Sequence, residues 1–184
     1  STQDKNAALQ AMAVQVRQDR QAILSANQQD VRETQASGLS EALVERLTLN
    51  EQRIGEMVAS IEAVAALPDP VGQVMRSWRQ PNGLEIRKVR VPLGVIGIIY
   101  ESRPNVTSDC ASLCLKSGNA VVLRGGAESF RSNQAIAASL GKALAACGLP
   151  PAAVSVIPTA DRAGVDAMLA LDQYIDVVIP RGGE

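Results

Sequence analysis

Between Thr2 and about Ala26 the apolar residues fall at Leu9, Met12, Ala13, Val16 and Ile23, with polar residues between them. That three-to-four spacing predicts one long amphipathic helix. Ser37-Gly38 interrupts it, and Leu39, Leu43, Val44 and Leu47 predict a shorter helix. Thr48-Leu-Asn-Glu51 has the form of a capping box, opening a further helix with Ile54, Met57, Val58, Ile61 and Ala65 on one face. Leu67-Pro-Asp-Pro70 closes this helical section. From Val71 to Pro92 the pattern changes to two extended segments joined at Gln80-Pro-Asn-Gly83, where Asn-Gly signals a hairpin turn. Leu84 and Ile86 alternate with Glu85 and Arg87, giving the hairpin a polar and an apolar face. Such an element either packs on its own domain or pairs with another chain through a free edge.

After Pro92 short apolar runs alternate with segments of helical length. Leu93 to Ile99, Ala120 to Leu123, Val154 to Ile157 and Ile175 to Ile179 predict strands, and Ser108 to Lys116, Ser129 to Ala146 and Arg162 to Ala170 predict helices between them. This order predicts an α/β fold with right-handed crossovers and a doubly wound, Rossmann-like parallel sheet. The expected division is an N-terminal helical part over 1–70, a protruding β-hairpin over 71–92, and a sheet part over 93–184. Ligands in that architecture gather at the carboxyl ends of the strands. Glu101-Ser-Arg-Pro-Asn105, Arg124-Gly-Gly-Ala-Glu128 and Pro180-Arg-Gly-Gly183 all fall there.

Composition narrows the chemistry. The 184 residues, 46% hydrophobic and 20% charged, suffice for a sizeable core. A net charge of -1 argues against a nucleic-acid or polybasic membrane surface. No apolar run approaches the roughly 20 residues of a membrane span, and the polar start is unlike a signal peptide, so a cytoplasmic protein is expected. The absence of histidine excludes a Ser-His-Asp or Cys-His pair and a histidine-ligated zinc site within this chain. Cys110, Cys114 and Cys147 lack a close CxxC spacing and read as reduced, buried thiols, with no metal site expected.

Arg124-Gly125-Gly126 follows a strand and precedes a helix. Glycines permit close backbone approach, helix N–H groups favour anions, and an arginine adds a forked donor, so the stretch reads either as a phosphate site or as a tight turn with a solvated arginine. The GxGxxG dinucleotide fingerprint is absent, and Gly94 and Gly97 lie within an apolar segment where glycine serves packing. Arg181-Gly182-Gly183 repeats the arrangement at the last strand. A parallel sheet that stops there lacks the helix to cover that strand, so the chain is expected to be a fragment.

Val91-Pro-Leu-Gly-Val-Ile-Gly97, Tyr100-Glu-Ser-Arg-Pro-Asn-Val-Thr107, Leu113-Cys-Leu-Lys-Ser-Gly-Asn119, Val122-Leu-Arg-Gly-Gly126, Cys147-Gly-Leu-Pro150 and Tyr174-Ile-Asp-Val-Val-Ile-Pro-Arg-Gly-Gly183 together resemble the gamma-glutamyl phosphate reductases of the aldehyde dehydrogenase superfamily. The resemblance covers nearly the whole chain. It implies NADPH-dependent reduction of L-glutamate 5-phosphate to glutamate 5-semialdehyde with release of phosphate, in proline biosynthesis. The route it implies passes through a cysteine thioester and a thiohemiacetal, and the family's nucleophilic cysteine belongs to a domain beyond the equivalent of Gly183. By the same resemblance Asn105 is the oxyanion donor, and Arg103 stands where ordinary aldehyde dehydrogenases carry an aromatic residue. Arg103 is open to two readings, a substrate contact or an ion pair with Glu101. Arg124 matches a lysine that binds the adenosine ribose, with Gly125, Gly126 and Glu128 bordering the same cofactor site. Arg181, Gly182 and Gly183 would face the pyrophosphate or nicotinamide half. The resemblance further implies a homo-oligomer and glutamate 5-kinase as a functional partner. Two other readings stay open: transfer of the acyl group to coenzyme A or water, and a noncatalytic nucleotide-binding or oligomerisation module.

Overall fold

The computed structural model describes residues 1–181. Helices α1 (Thr2–Gln18), α2 (Arg20–Ala36), α3 (Glu41–Leu47) and α4 (Glu51–Ala66) come first. A separate two-stranded ribbon, β1 (Val74–Arg79) and β2 (Glu85–Val89), follows them. The chain then runs β3 (Val95–Tyr100), α5 (Asn105–Lys116), β4 (Ala120–Arg124), α6 (Phe130–Ala146), β5 (Val154–Val156), α7 (Ala163–Leu169) and β6 (Val177–Arg181).

The single long helix expected from the N-terminal pattern is two helices. Asp19 separates them at φ -85° and ψ 8°, and its carboxylate accepts from Lys142 of α6 at 2.9 Å. α2 continues to Ala36 because its buried stripe is Ile23, Asn27, Asp30 and Thr34, a helical spacing made largely of polar residues. The capping box expected at Thr48 is not formed. Thr48 ends α3 and donates its hydroxyl to Val44 O, whereas Asn50 caps α4 by accepting from Arg53 N at 2.8 Å.

The four-stranded sheet has the order β5-β4-β3-β6 and is parallel throughout. Successive crossovers through α5 and α6 carry the chain from β3 outward to β5, and the next returns it to the far side of β3. The order therefore reverses between β3 and β6, a topological switch point. Ile96, Ile98 and Tyr100 of β3 share a continuous core with α1, α4, α5 and α6. Gly97 points to the opposite face, where an added Cβ would lie 3.3 Å from Met168 of α7 and 3.4 Å from Ile175. Helices thus cover both faces, and the first four form a further layer over α5 and α6. Lys116 fastens these layers, with its buried ammonium donating to Asn6 Oδ1 at 2.6 Å and Ala65 O at 2.8 Å.

The hairpin stands away from this core, with Val74, Met75, Trp78, Leu84 and Val89 all exposed. Gly83 N donates to Gln80 O, Gln80 N donates to Leu84 O, and Gly83 has φ +89°. The loop is therefore a three-residue connection with glycine in the left-handed position. At the hairpin's base the Asp69 carboxylate accepts from Lys5 at 2.7 Å, Thr2 Oγ1 at 2.6 Å and Val71 N at 3.0 Å. These donors, the Lys5 ammonium first, hold its carboxyl well below the usual carboxylate range.

Candidate functional site

α5 begins at Asn105, three residues earlier than the apolar pattern indicates. The preceding Pro104 is its N-cap and offers no side-chain acceptor, so Asn105 is the first helical residue and does not itself cap. Its side chain crosses one turn instead, and Nδ2 donates to Asp109 Oδ2 at 3.1 Å. The other carboxylate oxygen of Asp109 accepts from Ser60 Oγ of α4 at 2.9 Å. Asn105, Asp109, Ser60 and Arg103 together line a cavity of about 620 Å³ that is also lined by Arg46, Arg53 and Glu56.

Arg103 enters this cavity and forms no ion pair among the described residues. A backbone bond joins it to Glu101, Arg103 N donating to Glu101 O at 2.8 Å. Arg53 is held more firmly, its guanidinium donating to Glu45 O and Thr48 O at the end of α3. A second cavity, of about 320 Å³, lies at the carboxyl ends of β3 and β6 and is bounded by Tyr100, Glu101, Arg103, Val106 and Arg181. Arg103 lines both cavities, so a cation stands between the switch point and the first helical turn of α5.

The loop after β4 is tightly packed. A Cβ on Gly125 would come within 2.1 Å of Asn133 Nδ2 and 3.0 Å of the Tyr100 ring. A Cβ on Gly126 would meet Glu128 Oε2 at 2.7 Å and Ser102 Oγ at 2.9 Å. Glu128 is drawn to the neighbouring loop, accepting from Ser102 at 2.9 Å. Beneath it a buried chain of hydrogen bonds joins Tyr100 to Thr107 at 2.7 Å, Thr107 to Asn133 at 3.0 Å and Asn133 to Ser129 at 2.9 Å. Burial pushes the Tyr100 phenol far above its ordinary range, so it stays neutral.

The open helix terminus expected after Arg124-Gly125-Gly126 is filled by the protein itself. Asp30 of α2 accepts from Ser132 N at 2.8 Å, Ser132 Oγ at 2.6 Å and Arg131 N at 3.3 Å. No sequence pattern announced Asp30, because an acid on a helix reads as surface. Arg124 is the cation of this loop. Its guanidinium donates to Gly125 O and to Ala160 O at 2.9 Å, while its buried Nε finds no acceptor among the described residues. Arg181 ends β6 opposite Tyr100, and Gly182 and Gly183 lie outside the described residues.

The cysteines divide three ways. Cys114 is buried and its thiol is pushed up to about 12 by burial. Cys110 is half-buried and raised by burial and then by Asp109, with Arg181 opposing. Cys147 is exposed, which corrects its expected burial; it ends α6, where the chain turns outward. A thiol held protonated is a poor nucleophile, so neither Cys110 nor Cys114 has the environment of an activated thiolate.

A model of the aldehyde dehydrogenase family matches residues 2–183. The chain belongs to the aldehyde dehydrogenase family. Within that family it is 55% identical to a gamma-glutamyl phosphate reductase of Paramagnetospirillum magneticum over 98% of this chain and 43% of that protein. It is 54% identical to the one from Salinibacter ruber over 100% of this chain and 42% of that protein. The crystal structure of the Thermotoga maritima gamma-glutamyl phosphate reductase superposes on all of this chain and 44% of its own, with a TM-score of 0.96 at 46% identity. The Saccharomyces cerevisiae gamma-glutamyl phosphate reductase does so over 47% of its length, with a TM-score of 0.92 at 33% identity. A propionaldehyde dehydrogenase from Rhodopseudomonas palustris, at 18% identity and a TM-score of 0.66, shares the fold. The chain thus spans under half the length of the curated relatives it matches, and its sheet and N-terminal helices are those of an aldehyde dehydrogenase. Among the described residues no helix is long and apolar enough to cross a membrane.

Proposed function

We propose that this chain forms the cofactor-side portion of a gamma-glutamyl phosphate reductase. The reaction is the NADPH-dependent reduction of L-glutamate 5-phosphate to L-glutamate 5-semialdehyde and phosphate, the second step of proline biosynthesis. The observation that carries this reading is the 55% identity to such a reductase over 98% of the chain. The site adds support, because an amide donor and an arginine line one cavity at the carboxyl end of β3.

In this reading the nucleophilic cysteine lies outside this chain, and the role of these residues is to receive charge. As a thiolate attacks the acyl carbonyl, negative charge grows on its oxygen, and the Asn105 amide is a neutral donor that stabilises it without exchanging a proton. Arg103 would attract the phosphoryl group of the substrate, which the aromatic residue of ordinary aldehyde dehydrogenases would not.

The residues at the switch point fit a dinucleotide. Arg124, whose Nε has no acceptor among the described residues, sits at the carboxyl end of β4, and Arg181 lines the neighbouring cavity. A bound nicotinamide cofactor supplies hydride there. Arg124, with Gly125, Gly126 and Glu128 beside it, would hold the adenosine ribose and its 2′-phosphate, and Arg181 would face the other half. The exposed hairpin edge suits pairing within a homo-oligomer, and a glutamate 5-kinase would supply the acyl phosphate.

The test is NADP reduction by the full-length protein with glutamate 5-semialdehyde, with and without inorganic phosphate. Strict phosphate dependence is expected. Turnover without phosphate would make the enzyme a hydrolytic aldehyde dehydrogenase, and a requirement for coenzyme A would make it an acylating one.

A further inference from the structure

We infer that Asp109 is a positioning residue that selects which edge of the Asn105 amide faces the cavity. The inference rests on the reading of Asn105 as an oxyanion donor and adds a requirement that reading does not contain. An asparagine side chain carries a donor and an acceptor of nearly equal size, related by a half-turn about its last torsion. One orientation offers an oxyanion an N–H, whereas the other offers it a carbonyl oxygen and repels it. An asparagine on the first turn of a helix, beside a wide cavity, has little of its own to decide between them.

Asp109 decides. An ionised carboxylate only accepts, so the edge facing it must be Nδ2, as the 3.1 Å contact to Oδ2 requires. Nδ2 carries two hydrogens; one is spent on Asp109, and the other remains for an oxygen in the cavity that both residues line. The carboxylate is itself steadied, because Ser60 of α4 donates to Oδ1 at 2.9 Å. The orientation of Asn105 thus depends on a residue one turn along its own helix and on a hydroxyl from a neighbouring helix.

The experiment is a double-mutant cycle in the full-length protein, reading kcat and KM for glutamate 5-semialdehyde. Asp109→Ala is expected to lower kcat by about tenfold, the cost of a mis-set donor, with KM nearly unchanged. In an Asn105→Ala background the same change should alter kcat by less than about twofold, because no amide remains to be oriented. Asp109→Asn keeps the shape and an acceptor oxygen, and should recover at least part of the loss; this variant also covers the case in which Asp109→Ala does not fold. Full, additive losses in both backgrounds would overturn the inference, since Asp109 would then act independently of Asn105. A rise in KM at constant kcat would also overturn it, by making Asp109 a substrate contact. A null effect of Asn105→Ala alone would instead remove the oxyanion reading on which the inference rests.

Discussion

The crossovers after β3 and β4 share one plan, strand to polar loop to helix, yet they end differently. After β3 the loop opens on a cavity, Arg103 has no acidic partner among the described residues, and the first residue of α5 reaches along its own helix. After β4 both glycines are packed against side chains, and Asp30 occupies the first turn of α6. A glycine-rich loop at a helix terminus invites an anion in principle. Here the physical need for glycine is the close approach of Asn133, Tyr100, Ser102 and Glu128.

Four measurements would break or sharpen this contrast. The largest effect is expected on the open side, where Asn105→Ala should lower turnover of the full-length protein by about 10²- to 10³-fold, the range for one lost oxyanion donor. Near-normal turnover would make the first turn of α5 purely structural. On the packed side Gly125→Ala should destabilise the fold by about 1–3 kcal/mol, as overpacking does, because its Cβ would meet Asn133 Nδ2 at 2.1 Å. Unchanged thermal unfolding would show that the loop has slack. Arg124→Ala should weaken NADP binding by about tenfold and NAD binding less, since an arginine there would meet the 2′-phosphate. Equal losses for the two cofactors would cancel that assignment.

The smallest effect concerns Cys114, whose thiol is raised by burial from 9.0 to about 12. Below about pH 9 the thiol is protonated in the folded and unfolded states alike, and it contributes no pH dependence. Between the two values the unfolded chain loses a proton that the folded chain keeps, so stability should fall as pH rises through that window. Cys114→Ala should flatten this alkaline slope in denaturant titrations at pH 8 and pH 10. An unaltered slope would assign it to another group, with Cys110, also raised by burial, the first to test.

The apolar runs made the sheet legible, because strands covered on both faces by helices are almost continuously hydrophobic and their order left few topologies. The hairpin was legible from Asn82-Gly83, and Gly83 takes the left-handed position of its three-residue turn. Polar residues used as core were not legible. Asn27, Asp30 and Thr34 are buried at helical spacing in α2, and a hydrophobic pattern treats all three as surface. For the same reason α5 was begun too late, since Asn105 and Thr107 look like loop residues until their partners Asp109 and Asn133 are known. Asp109 stands four residues after Asn105, and a helix starting at Asn105 would have revealed the pair. Asn105 and Arg103 were given their roles by resemblance and Arg124 was first marked by its place after a strand, and the geometry adds Asp109, Ser60 and Asp30 around them.

The bond between Asp30 and Ser132 spans 102 residues of sequence. Its consequence concerns the order of assembly. During synthesis α2 leaves the ribosome first and carries a carboxylate whose partner helix does not yet exist. α6, when it emerges, has only water for its first-turn N–H groups until α2 has docked on it. Neither helix is complete alone, so the N-terminal layer and the sheet are expected to fold as one cooperative unit, with the loop-closure entropy of that long separation met before either helix gains from the contact.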